Sequence, residues 1–411
     1  MRWLLVLIVL FVAGAGAQAE PAPTADLEIS LLTVGPGEIY WERFGHNAIV
    51  VRDRASGEST AYNYGMFDFD EADFLVNFAR GHMTYQIVAN RVEDDIAWYA
   101  DEGRFVVEQV LRFDPAQALA LKRFLDWNAR PENARYRYDY YTSNCSTRVR
   151  DALDEALGGA LRKQLSAPSR GYTYRVLTGA LMSPQPLLMG ALDAGLGPMA
   201  DRRLSFWDDS FVPMELMAHL RDVRFAGADG SALPLVVEER VLSPARVAAP
   251  PALPPDLRWP FLIAGLALGG VLFMLGARRD RPGARRVFAM IAVTLAVACG
   301  VVGTLLLALW RLTEHRSAWR NENLLVLSPL CLLLVPTWWR SARADWSASR
   351  FARGLSATIA LLAALALFSK VLPWFAQANL PWILLLLPAH LALAHAANTS
   401  ARPARVGGSR A

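Results

Sequence analysis

Cysteine is scarce in this chain. Three are present, Cys145, Cys299 and Cys331, beside six histidines. The last two cysteines fall inside long apolar runs, so Cys145 stands alone in the polar part of the sequence. An unpaired cysteine there is either a buried small hydrophobe or a working thiol. A working thiol needs a base. The same polar part carries His46, His82 and His219. His46 lies in Arg43-Phe-Gly-His-Asn-Ala-Ile-Val-Val-Arg52, where Gly45 ends a loop and His46 opens an apolar strand. A base at the start of a core strand is held rigidly, which suits proton transfer. The competing reading is a structural hydrogen-bonding group. His82 follows Arg80-Gly81 in a turn, and His219 sits in a helical pattern and reads as structural. No His-x-x-x-His, Cys-x-x-Cys or Asp-rich spacing occurs, which argues against a metal site.

The neighbourhood of Cys145 supplies the element it needs. Tyr136-Arg-Tyr-Asp-Tyr-Tyr141 alternates like a strand or an extended entry. Thr142-Ser143-Asn144 is turn and N-cap chemistry. From Cys145 onward the sequence reads as a helix, with Val149, Leu153, Ala156 and Leu157 on one face and Gly158-Gly159 to end it. Cys145 therefore falls in the first turn. There the free N–H groups and the positive dipole end favour a thiolate, and the same groups could hold an oxyanion.

The whole chain has 411 residues, 54% hydrophobic and only 19% charged. That is richer in apolar residues than soluble domains usually are. The net charge of +4 conceals two unlike halves. Residues 20–257 carry net −10, which would repel a phosphate backbone and argues against nucleic acid as a partner. Residues 258–411 carry +13, with the bases set between apolar runs, as in membrane proteins. Residues 1–19 read as a signal peptide: Arg2, the apolar Trp3–Val12, then Ala17-Gln-Ala19 as the cleavage site. An uncleaved anchor is the alternative. A polar domain over 20–247 and a Pro/Ala linker over 248–258 follow. Five apolar runs over 259–397, near the length that crosses a bilayer, precede a tail over 398–411. The third run, Asn323–Trp339, is short and holds Pro329 and Pro336. Arginine is densest at 278–286, 340–353 and after 401, so those segments are expected inside and residues 20–257 outside.

Three blocks together carry a resemblance: Gly37-Glu-Ile-Tyr-Trp-Glu-Arg-Phe-Gly-His46, Tyr62-Asn-Tyr-Gly65, and Tyr138-Asp-Tyr-Tyr-Thr-Ser-Asn-Cys-Ser-Thr-Arg-Val-Arg-Asp151. Over residues 27–225 the chain resembles the periplasmic domain of the Lnb family of bacterial lipoprotein transacylases. That domain is in turn similar to circularly permuted NlpC-type, papain-like thiol enzymes, in which the histidine strand precedes the cysteine helix. The resemblance implies an α+β, papain-like exported domain followed by an all-α membrane domain of about five transmembrane helices. It implies Cys145 as nucleophile and His46 as base. Asn63 is the nearest match to the polar residue that orients the imidazole, with Asn47 and Tyr64 as weaker choices. Asn144 would cap the helix or help polarise a carbonyl. Arg43 would pair with an acid such as Asp139 or meet a lipid phosphate.

One membrane loop stands out. Thr313-Glu-His-Arg-Ser-Ala-Trp-Arg-Asn-Glu-Asn323 is polar and lies on the outer side beneath the exported domain. It reads either as a solvated loop or as a head-group site, with His315 and Asn321 presenting lipid to Cys145. Related membrane-anchored members carry a similar His…Asn-x-Asn stretch. The implied activity is acyl transfer from the diacylglyceryl group of a lipoprotein to its own N-terminal amine, without a cofactor. The expected partners are a membrane lipoprotein or phospholipid acyl donor and the bilayer, in the inner membrane. A thiol hydrolase acting on peptide amides or lipid esters, and a non-catalytic membrane module, are the rival classes.

Overall fold

The computed structural model describes residues 26–68, 73–227 and 229–400. The expected signal peptide and the tail beyond residue 400 lie outside these. A seven-stranded antiparallel sheet forms the N-terminal domain. Its order is Val236–Ser243, Val106–Leu111, Leu27–Val34, His46–Asp53, Ser59–Met66, Thr84–Arg91 and Arg135–Arg137. Alternation along the central strands divides two cores, because successive side chains point to opposite faces. Ile29, Leu31, Ile49, Val51, Tyr62 and Tyr64 pack on helices Pro115–Asn128 and Cys145–Ala156. Leu32, Ala48, Val50 and Ala61 pack on Val92, Ile96 and Tyr99 of helix Val92–Asp101. With helices on both faces, residues 28–34, 46–51 and 61–64 are buried.

The helix expected after residue 144 spans Cys145–Ala156, with Asn144 as its N-cap. Asn144 Oδ1 accepts from the Thr147 N–H, and Thr147 Oγ1 accepts from the Asn144 N–H, a reciprocal cap that fixes the first turn. The expected strand over 136–141 is shorter. Only Arg135–Arg137 pairs, and the chain then turns at Asp139, whose carboxylate takes the N–H groups of Tyr141 and Thr142.

Among the described residues, four helices are long and apolar enough to cross a membrane: Arg258–Ala277, Pro282–Leu312, Arg350–Ser369 and Leu380–Thr399. The expected third span departs from a straight helix. It is a bent pair, Arg316–Leu325 with Pro329–Arg340, at 43°. Pro329 and Pro336 remove backbone donors, and the chain passes through 3₁₀ turns at Glu322–Leu325 and Pro329–Leu334. A 3₁₀ turn rises roughly 2 Å per residue, so this short run covers more depth than an α-helix of equal length. Counted as one broken span, it gives five crossings. The ends then sort as the loop charges require. Arg285 Nε reaches Ala342 O at 3.0 Å and the Ala348 N–H reaches Ser400 Oγ at 2.9 Å, which gathers the arginine-rich segments at one end. Gly265 and Gly269 bring the first span against the last, where a Cβ on Gly265 would meet Leu384 O at 2.1 Å.

Candidate functional site

Cys145 is half-buried at the first position of its helix. Its place is opened by the neighbouring strand. Gly65 has φ 89°, and a Cβ there would lie 3.2 Å from Cys145 Cβ. The pairing of His46–Asp53 with Ser59–Met66 ends at Ala48 opposite Asn63. Just beyond that end comes Asn47, and the backbone amides of Asn47, Ser146 and Cys145 itself all favour the charged form of the Cys145 thiol.

His46 opens its strand and is 9% exposed. Its Nε2 lies 2.9 Å from Asn63 Oδ1. Asn63 Nδ2 donates to Asp95 Oδ2 at 2.6 Å, and Asn90 Nδ2 donates to Asp95 Oδ1 at 2.8 Å. A carboxylate only accepts, so Asn63 must turn its NH₂ to Asp95 and its oxygen to His46. Nε2 therefore carries the hydrogen, and Nδ1 holds the lone pair that can take a proton.

Burial pulls the His46 pKa down to about 4, helped by the Arg104 charge and opposed by the Asn63 bond. The imidazole is neutral at neutral pH. Burial also pushes the Cys145 thiol up, against the pull of the amide donors and Arg104. The helix start acts in the expected direction, but desolvation outweighs it, so the resting pair is thiol and imidazole instead of thiolate and imidazolium. Arg104 is itself buried, with Nε on Gly35 O at 2.8 Å and its guanidinium 4.8 Å from the Tyr99 ring centre.

The other expected residues are placed as follows. Asn144 is spent as a cap: Oδ1 is taken by Thr147, and Nδ2 donates to Phe211 O at 2.9 Å and Tyr140 O at 3.1 Å. It has nothing left for a carbonyl. Arg43 does not pair with Asp139. Its Nε and Nη1 bind the carbonyls of Leu181 and Gly37, while Nη2 is buried without a partner among the described residues. Tyr64 points into the opposite core and gives its hydroxyl to Asn128 Oδ1 at 2.8 Å, so it cannot orient the imidazole. Asn47 turns its side chain to Thr33 and Ser146.

His315 and Asn321 join the two domains. His315 Nε2 binds Phe78 O at 2.9 Å. Asn321 Nδ2 reaches the carbonyls of Ala194 and Gly195 at 2.8 and 2.9 Å, while its oxygen takes the Asn323 N–H and Gln377 Nε2. The loop does touch the segment that leads into the Cys145 helix, since the His315 and Tyr140 rings stack at 6.0 Å. His82 lies at the same junction, 2.9 Å from Glu314 Oε1. His219 is buried on Asp209 at 2.6 Å. With Glu215 these two bring three potential ligand atoms together, a grouping their spacing in sequence did not reveal.

Asp95, Asn90 and Arg104 are site residues that sequence reasoning missed. Glu93-Asp94-Asp95 reads as ordinary acidic charge in a first helical turn, and nothing local sets Asp95 apart. A chain of rings leads away from the thiol. Tyr138 stacks on Tyr85 at 4.1 Å, Tyr85 meets Phe67 at 5.0 Å, Phe67 meets Phe74 at 5.9 Å, and Phe74 meets Phe78 at 6.4 Å.

Comparison with known families agrees across both halves. Residues 18–180 match the Lnb N-terminal periplasmic domain, and residues 257–400 match the Lnb transmembrane domain. No curated protein and no solved structure matches the chain significantly.

Proposed function

The chain belongs to the Lnb family in both its periplasmic and its membrane half, and from that premise we propose that it is an inner-membrane cysteine acyltransferase. It takes an ester-linked acyl chain from the diacylglyceryl group of a lipoprotein and passes it to that lipoprotein's N-terminal amine. The reading rests on the relay from Asp95 through Asn63 to His46, which ends one residue before Asn47, whose amide favours the Cys145 thiolate. The fold we assign to the domain is the permuted, papain-like one.

In this reading His46 Nδ1 removes the Cys145 proton as Sγ adds to the ester carbonyl. The two groups become charged together, because each charge lowers the cost of the other. The carbonyl electrons pass to oxygen, and the N–H groups of Asn47, Cys145 and Ser146 are the donors at hand for that oxyanion. Collapse breaks the ester C–O bond. His46 returns its proton to the departing glyceryl oxygen, leaving a thioester and a lyso-form. The N-terminal amine then attacks the thioester, gives a proton to His46, and the C–S bond breaks. The imidazolium reprotonates the sulfur. An ester and an amine have become an alcohol and an amide, and the enzyme is restored.

A hydrolase would use the same residues with water as acceptor. The aromatic series beside Cys145 favours a long apolar acyl group over a muropeptide. The test is mass spectrometry of lipoprotein N-termini in cells with the protein, without it, and with Cys145→Ala. N-acylation should need Cys145. Unchanged N-acylation, with loss of muropeptide cleavage, would reject the transferase.

A further inference from the structure

Three elements at the membrane end of the periplasmic domain expose large apolar side chains. Helix Phe74–Arg80 exposes Leu75 at 76% and also Val76. Helix Pro186–Gly195 exposes Leu187 at 91%, with Leu188 and Leu192 beside it. The loop after Gly37 exposes Ile39, Tyr40 and Trp41. Soluble surfaces rarely gather such residues in one region.

Their position is fixed by bonds to the membrane half. The Glu314 N–H donates to Arg80 O at 2.8 Å, which ties the first helix to the outer end of span Pro282–Leu312. The second helix ends in carbonyls held by Asn321 and Asn323, and Trp382 Nε1 donates to Asp193 at 2.8 Å from the head of the last span. The loop is tied to that second helix, since Gln185 Nε2 donates to Glu38 O at 2.7 Å. The first two elements therefore adjoin the ends of the spans, and the loop reaches them through the second. Phe74 and Phe78, the far end of the ring series from Cys145, belong to the first of them.

We infer that these three elements form a rim seated in the outer leaflet of the bilayer, at the boundary of head groups and acyl chains. Aromatic and leucine side chains are suited to that depth. The ring series from Tyr138 to Phe78 then gives an acyl chain an apolar path between leaflet and thiol. The depth of the rim is a claim independent of the chemistry at Cys145.

The test uses the full chain in vesicles of phosphatidylethanolamine and phosphatidylglycerol. A benzophenone amino acid is placed at Leu187, Leu75 or Ile39, and in a control at exposed Val237 on the far edge of the sheet. On irradiation the three rim positions should form phospholipid adducts and Val237 should not. Adducts only to protein, or equal labelling at Val237, would overturn the inference. Leu187→Asp and Leu75→Asp should also slow turnover of vesicle-held substrate about 10-fold while leaving alkylation of Cys145 by a small soluble reagent unchanged. Absence of acyl transfer by the parent protein, with lipid adducts at the rim positions intact, would instead count against the catalytic reading alone.

Discussion

Asn63 gives its amide hydrogen to Asp95 across 2.6 Å and keeps its oxygen for His46 at 2.9 Å. The direction of the first bond dictates the second. Asp95→Asn would put a donor where only an acceptor stood and free Asn63 to turn over. The imidazole would then meet an NH₂ group and carry its hydrogen on the wrong nitrogen. Acyl transfer should fall on the order of 100-fold or more, with little change in thermal stability. Activity near that of the parent would mean the relay does not set the tautomer.

The low pKa of His46, about 4, sets the acid side of the pH profile. The base is lost only when the ring protonates, so kcat/KM should hold through pH 6 and fall near pH 4 to 5. An ordinary histidine would lose activity near 6.5. Stability should follow the same sign. The unfolded chain binds a proton in this window that the folded ring resists, so stability is full above the unfolded pKa and is lost as pH falls toward 4. A kinetic limb at 6.5 in His46 protein would contradict the burial argument.

Cys145 should be slow to alkylate at neutral pH, because burial holds it as a thiol. Its rate with iodoacetamide should climb on the alkaline side of an ordinary cysteine. A fast thiol at pH 6 would indicate a resting ion pair and a different mechanism.

Asn144→Ala should act on stability. The helix loses its reciprocal cap, at a cost of about 1 kcal/mol, and two carbonyls lose a donor in the interior. A lower melting temperature, with acyl transfer retained per folded molecule, is the expected result. A specific loss of turnover would return Asn144 to the site.

Asn321→Leu should loosen the joint between the halves, since the Gly195 carbonyl would lose its donor at about 1–3 kcal/mol while Ala194 O would keep only Asn323. Protease should then cut more readily in the linker near Pro254. Turnover of vesicle-held substrate should drop more than alkylation of Cys145 does. Unchanged proteolysis would mean the joint is held elsewhere.

How much could be read in advance depended on range. The cap at Asn144, the helix after it and the glycines at its end are local, and residues three or four apart settle them. The apolar spans and their charged loops are local as well, and even the weakness of the third could be seen in Pro329 and Pro336. Asp95 is different. It reaches Asn63 from 32 positions away, out of a helix start crowded with acids. Asn321 bonds to carbonyls more than a hundred residues earlier, so its amide looked free for a ligand. The pKa of Cys145 likewise depends on what is packed around it, which a helix-end argument leaves out.

The grip of Asn321, Asn323 and Gln377 on the end of helix Pro186–Gly195 has a consequence for anyone who would exchange parts of this molecule. Those carbonyls belong to one half and their donors to the other, although Leu196 O also takes Arg175 Nη2 from its own half. A hybrid that kept the periplasmic half and borrowed an unrelated anchor would present Ala194, Gly195 and Leu196 to whatever the new anchor offered. The halves are therefore inherited as a matched pair, and transplanting one without its mate should give a protein that reaches the membrane and stands there crooked.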